Sequence, residues 1–128
     1  MKEQLEKLIA DVPDFPKPGI LFKDITPVLA DPEGLNMAVE AMVEPFRDQK
    51  ITKVVCIESR GFIFGIPMAQ DLGVGAVLVR KPGKLPRPTR SVEYALEYGT
   101  DRVEMHREDV GEDDRVLIVD DLLATGGT

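Results

Sequence analysis

Three short apolar runs constrain this chain more than any other feature. KVVCIE (53–58), GAVLVR (75–80) and RVLIV (115–119) are too short for helices and lack an apolar/polar alternation. Continuous apolar strands are buried on both faces, and that is the habit of parallel sheets, whose crossovers cover them. Between the first two lies RGFIFGIPMAQDLG (60–73), which predicts a helix after a turn, closed at Gly73 by a left-handed cap. Strands alternating with helices make an α/β fold with a mostly parallel sheet, and such sheets bind ligands beyond the carboxyl ends of their strands.

The flanking segments have other periods. LEKLIADV predicts a short amphipathic helix, ended by the three prolines and the glycine of PDFPKPG, and ILFKDITPVLADP is a short apolar segment in a loop-rich region. PEGLNMAVEAMVEPFRDQ places Leu35, Ala38, Val39, Met42, Val43 and Phe46 on one helical stripe, with Pro45 kinking it or marking its last turn. SVEYALEYGTDRVEMHRE switches to period two. Val92, Tyr94, Leu96 and Tyr98 share one face, Ser91, Glu93, Ala95 and Glu97 the other, and GT (99–100) supplies a hairpin turn.

Composition narrows the function. At 128 residues and 43% apolar the chain is one domain with a real core. A net charge of −7 argues against a phosphate-tracking nucleic-acid surface, and no apolar stretch reaches the roughly 20 residues of a membrane span. The single cysteine, Cys56, excludes a disulfide framework and a cysteine-cluster metal site, reads as a small buried hydrophobe, and makes the cytoplasm the default compartment. His106 reads as a surface residue rather than a catalytic one. RKPGKLPRPTR (80–90) holds five bases and no acid, so it is either a proline-stiffened solvated loop or an anion-binding one.

Three strand ends carry unusual chemistry, namely ESRGF, VRKPGK and VDDLLATGGT. In the third, Gly126 and Gly127 let backbone N–H groups approach an oxyanion while Thr125 and Thr128 add hydroxyls, which makes a phosphate cradle. It is not a Walker A loop, because no lysine follows the glycines. Asp120 and Asp121 would repel that phosphate unless they face something else: a ribose diol, Mg²⁺ held through water, or the start of a helix as an acidic cap. Arg60 can fork onto a pair of phosphate oxygens.

VLIVDDLLATGGT resembles the phosphoribosyl-diphosphate signature of the type I phosphoribosyltransferases. DFPKPGILFKDITPVL, ESRGFIFG, VRKPGKLP and LEYGTD follow the order seen in the adenine phosphoribosyltransferase family, so the resemblance covers nearly the whole chain. It implies that family's α/β fold, with an N-terminal helix and hood over 1–30 and a flexible basic loop and hairpin over 80–108, all within one domain over 1–128. It implies transfer of 5-phosphoribose from phosphoribosyl diphosphate to adenine, giving AMP and pyrophosphate with Mg²⁺, in a cytoplasmic homodimer without nucleic-acid or membrane partners. Ala124, Thr125, Gly126, Gly127 and Thr128 would cradle the 5′-phosphate, and Asp120 and Asp121 would hold the ribose hydroxyls and help site the metal. Glu58, Ser59, Arg60, Arg80 and Lys84 would meet pyrophosphate, with a cis Glu58–Ser59 peptide and Arg80 reaching across the dimer. Leu21, Phe22 and Lys23 would contact adenine, and Glu97 would be the acid/base. A non-catalytic phosphoribosyl-diphosphate-binding regulator and a transferase for another purine are the rival readings. Family members continue past the glycine motif with a helix, a strand and a helical segment, so the chain is expected to be incomplete at its C-terminus, weakly stable and of doubtful activity alone.

Overall fold

The computed structural model describes residues 2–96, 98–123 and 126–128, which fall into two compact units, one ending at Pro45 and one over Phe46–Thr128. In the first, helix α1 (Lys2–Leu8) gives way to strand β1 (Ala10–Pro13), antiparallel to β2 (Leu21–Asp24) with Val12 opposite Phe22. This hairpin differs from the sequence expectation, which carried the helix through Val12 and left 20–32 mainly as loop. The proline-rich connection makes it possible. Asp14 accepts from the Gly19 N–H at 2.9 Å, Phe15 N–H donates to the Ile20 carbonyl at 3.1 Å, and the Phe15–Pro16 peptide is cis.

Helix α2 (Thr26–Ala30) starts beside Asp24, whose carboxylate accepts from the Thr26 N–H at 2.9 Å and its hydroxyl at 3.0 Å; the backbone bond is the main cause that lowers the Asp24 pKa. Helix α3 (Pro32–Val43) opens with Pro32 in its first turn and with Asp31 capping the Gly34 N–H at 2.9 Å. Of the expected stripe, Ala38 and Val43 are fully buried. Pro45 falls in a single tight turn, Glu44–Phe46, at the end of this helix.

The second unit holds the parallel sheet. Strand β3 (Lys53–Ile57) runs between β4 (Gly75–Val79) and β7 (Val116–Val119), all three parallel, with Ile57 opposite Val79 and Cys56 opposite Val119. The three strand ends therefore open on one edge, as the sequence implied. Val55, Ile57, Val77 and Val79 form a buried cluster with Val103, Met105 and Val110 packed against it.

Val54 and Cys56 point to the other face, where helix α4 (Gly61–Leu72) docks and ends at a left-handed Gly73. Gly61, Gly65, Met68 and Ala69 lie on the buried side of α4. A Cβ on Gly65 would sit 2.2 Å from the Cys56 sulfur, and one on Gly61 would sit 2.6 Å from the Val119 carbonyl oxygen. Cys56 is thus a buried packing residue, and burial pushes its thiol pKa up.

Strands β5 (Thr89–Ala95) and β6 (Thr100–His106) form the antiparallel hairpin. Its turn ends at the Gly of the expected GT: Leu96 N–H donates to the Gly99 carbonyl at 2.9 Å, Gly99 has φ +94°, and Thr100 already pairs with Ala95. Leu96 and Tyr98 consequently leave the strand face assigned to them. The hairpin is tied to the end of β4 by two backbone bonds between Arg80 and Glu104, at 2.9 and 2.7 Å.

Replacing Gly65 by Ala is expected to destabilise the protein by about 1–3 kcal/mol, the usual cost of overpacking. Adding Cys56→Ala should recover part of that loss, because the sulfur is the nearest obstacle. Urea unfolding of the single and double variants measures the coupling.

Candidate active site

A cleft of about 780 Å³ opens beyond the carboxyl ends of the parallel strands. Ile57 to Arg60 form its floor. Asp120 to Leu123 and residues 126–128 form one wall, and Lys81 with Tyr94 closes the opposite side. The site thus unites ESR, the basic loop, the aspartate pair and the glycine turn. Glu97, Ala124 and Thr125 lie outside the described residues. Leu21, Phe22 and Lys23 belong to β2 in the first unit, where Phe22 packs edge-on against Phe15 with ring centroids 5.1 Å apart and Lys23 pairs with Asp11 at 2.5 Å.

The floor depends on close backbone packing. The Glu58 N–H donates to the Val79 carbonyl at 2.9 Å, and the Glu58–Ser59 peptide is cis, as the resemblance implied. Gly61 then brings the start of α4 against the end of β7, with its Cβ position also 3.3 Å from the Asp120 Cα. Gly61 thus admits a tight approach, and the backbone it admits is the chain's own. Arg60, immediately before α4, reaches Asp121 with Nε 2.8 Å from Oδ2.

Every cation singled out in the sequence meets a carboxylate. Arg80 Nε lies 2.8 Å and Lys84 Nζ 3.0 Å from separate oxygens of Glu58, whose pKa is lowered, first by the hydrogen bond from Lys84. Lys81, which sequence reasoning left among the other basic residues, pairs with Asp101 and donates to the Tyr94 hydroxyl at 3.2 Å. These bonds raise its pKa, the one to Asp101 most. Tyr94 was legible only as a strand-face residue; its place at the cleft follows from the hairpin's attachment to β4.

Asp120 and Asp121 behave differently from each other. Asp121 is nearly buried and has Arg60 as its counter-ion. Asp120 accepts the Asp121 N–H at 2.8 Å, yet its pKa is raised, by burial first and by the neighbouring Asp121 as well. Its charge lacks full compensation, so a hydrogen-bond donor or cation in the cleft would relieve it.

The phosphoribosyl transferase domain family matches residues 27–128. Adenine phosphoribosyltransferase of Acaryochloris marina is 60% identical over 124 residues, which is 97% of this chain and 73% of that protein. The chain belongs to the adenine phosphoribosyltransferase family. The crystal structure of the family member from Thermoanaerobacter pseudethanolicus superposes with a TM-score of 0.93 at 54% identity, covering 99% of this chain and 74% of that one. The Saccharomyces cerevisiae adenine phosphoribosyltransferase, solved in complex with an imino-altritol bisphosphate and adenine, has a TM-score of 0.91 at 40% identity, covering 98% and 73%. These likenesses extend over both units, including the β1–β2 hairpin.

One sequence expectation is corrected in this region. His106 is not a surface residue: it is 8% exposed, and its ring bonds to Arg87 and Asp109. The period-two pattern placed it correctly on β6, but only the folded basic loop covers it.

The raised pKa of Asp120 fixes a sign for pH. A carboxyl that holds its proton more tightly when folded contributes stability below its unfolded pKa and loses that contribution as pH rises through the folded value. Asp120→Asn keeps the acceptor for the Asp121 N–H and removes the charge. It is expected to raise the unfolding midpoint at neutral pH and to leave it unchanged below about pH 4, where both proteins are uncharged there. Thermal unfolding across that pH range checks it.

Proposed function

We propose that the cleft transfers 5-phosphoribose from phosphoribosyl diphosphate to adenine, forming AMP and releasing pyrophosphate. The observation that carries this reading is the meeting of three strand-end loops at one cleft, with bases on two of them and a carboxylate pair beside a glycine turn on the third. A ligand with a phosphate, a diol and a diphosphate matches that order of groups.

The residues divide the work by charge. Ala124 to Thr128 cradle the 5′-phosphate with backbone N–H groups and hydroxyls. Asp120 and Asp121 accept hydrogen bonds from the ribose hydroxyls, which offsets the charge that burial disfavours on Asp120. Ser59 and Arg60 meet the pyrophosphate from the floor; Arg80 and Lys84 meet it from the basic loop, exchanging Glu58 oxygens for phosphate oxygens. As a carboxylate, Glu58 serves that anion indirectly, by holding the two cations at one place before ligand arrives. Leu21, Phe22 and Lys23 contact adenine.

During transfer the bond from the anomeric carbon to pyrophosphate breaks and a bond to adenine N9 forms. Positive charge develops on the ribose and is stabilised by the aspartate pair. The leaving anion is stabilised by Arg60, Arg80 and Lys84. Glu97 exchanges the proton at the purine ring nitrogen whose protonation changes. Closure of the basic loop and hairpin excludes water, which protects the activated ribose from hydrolysis.

The donor set also suits Mg²⁺. Two adjacent carboxylates, with no cluster of three or more His, Cys, Asp or Glu side chains among the described residues, fit a hard ion that retains water and takes ligand oxygens. Asp120 and Asp121 are the residues to hold it, through water, and when bound it supplies positive charge to the pyrophosphate oxygens. A cytoplasmic homodimer completes the reading, following the family resemblance; no helix among the described residues is long and apolar enough to cross a membrane.

Incubation with phosphoribosyl diphosphate, Mg²⁺ and adenine, hypoxanthine or guanine in turn is expected to yield AMP from adenine alone. Binding of phosphoribosyl diphosphate without product would point to a regulator, and another nucleotide product to a different purine. Glu97→Ala should lower kcat at least about tenfold, within the about 10²–10⁴ typical of general acid–base groups, with AMP affinity retained. The Asp120→Asn, Asp121→Asn double variant should lose affinity for phosphoribosyl diphosphate in calorimetry; unchanged affinity would remove the diol assignment.

A further inference from the structure

The basic loop is pinned at its start and its return by two side chains of one strand. Glu104 and His106 are two residues apart on β6 and so lie on the same face, opposite the core-packing Val103 and Met105. Glu104 accepts from the Gly83 N–H at 2.8 Å and the Thr89 hydroxyl at 3.2 Å. His106 holds the return: the Arg87 N–H donates to its Nε2 at 3.2 Å. Lys84 lies on the chain between these anchors.

That bond favours one state of the ring. A backbone N–H can only donate, so as its acceptor Nε2 carries no proton, and a neutral imidazole in that bond carries its proton on Nδ1. Nδ1 faces the Asp109 Oδ2 at 3.3 Å. The Arg87 guanidinium, also only a donor, lies with Nη2 3.0 Å from Nδ1 and 3.1 Å from the Asp109 Oδ1; with the ring proton on Nδ1, its hydrogen bond goes to Asp109. The ring thus sits between opposite charges, those of Asp109 and Arg87. Farther out, Lys53 of β3 donates to the Asp109 carbonyl and pairs with Asp114 at 3.3 Å, and Arg107 donates to the Thr89 carbonyl at 3.1 Å.

We propose that neutral His106 is a positioning residue for the anion site, and that its protonation releases the returning arm of the basic loop. A second proton removes the Nε2 acceptor and leaves the part-buried Arg87 N–H facing an N–H. The arm then gains freedom that must be lost again when Lys84 closes on an anion, so affinity falls as the ring takes up its second proton. This rests on the reading of the cleft as a phosphoribosyl-diphosphate site.

His106 is the single histidine of the chain, so long-range ¹H–¹⁵N correlation spectra report it without ambiguity. The expected result above about pH 7.5 is the Nδ1–H tautomer, with the Arg87 amide protected from exchange. As the ring takes up its second proton, Arg87 protection should fall with the same midpoint. An Nε2–H tautomer, or an Arg87 amide indifferent to the titration, would overturn the latch.

Pyrophosphate binding provides the functional readout. Its dissociation constant should rise about fivefold across the titration beyond the change seen in His106→Gln, the size of one lost hydrogen bond. That variant keeps an acceptor for Arg87 and cannot protonate, so it should bind normally near pH 8 and lack the extra pH dependence. Equal pH dependence in the two proteins would overturn the coupling to the site. Failure of both to bind pyrophosphate at any pH would instead overturn the anion-site reading, and with it the functional half of this inference, while the spectra still decide the latch.

Discussion

The contact between the first turn of α4 and the end of β7 governs the site. Without a side chain at Gly61, the helix start sits against the Val119 carbonyl, and the next residue outward on each segment comes within reach of the other. Arg60 and Asp121 meet as a consequence. One turn later, Gly65 sits directly over the Cys56 sulfur, so α4 is held against the central strand along its buried side. Bulk at either glycine would separate the floor of the cleft from its acidic wall. A packing constraint thereby becomes a statement about which charges face each other.

Those charges are largely balanced within the protein. Glu58 gathers Arg80 and Lys84, Asp101 holds Lys81, and Asp121 holds Arg60. Each cation is therefore ordered before any ligand arrives, and an anion that displaces the carboxylates meets donors already in place, which lessens the ordering cost of binding. Asp120 is the exception. Its raised pKa marks a charge that the fold does not fully compensate, a stability cost of the kind that sites accept where a ligand group supplies the missing partner.

The hairpin links this electrostatic arrangement to the sheet. Its β6 strand contributes Val103 and Met105 to the core on one face and Glu104 and His106 to the basic loop on the other. The alternation of a single strand thus joins hydrophobic packing to loop geometry, and Tyr94 on β5 brings the same hairpin to the cleft.

The parallel sheet, its three chemically loaded strand ends and the helix between the first two were legible from the sequence, because short apolar runs, a glycine cap and period-two alternation are local consequences of burial and backbone geometry. The β1–β2 hairpin was not, since IADV fits a helix as well as a strand until Leu21–Asp24 returns to pair with it. The roles of Gly61 and Gly65 also depended on what lay opposite, a carbonyl 58 positions away in one case and a sulfur on the preceding strand in the other. His106 looked like a surface residue because nothing in its neighbourhood along the chain covers it; Arg87, nineteen residues earlier, does. Sequence alone determined which residue types gather at the strand ends, because backbone period and burial act locally. Tertiary structure decided which carboxylate answers which base, because that depends on distances between segments far apart in the chain.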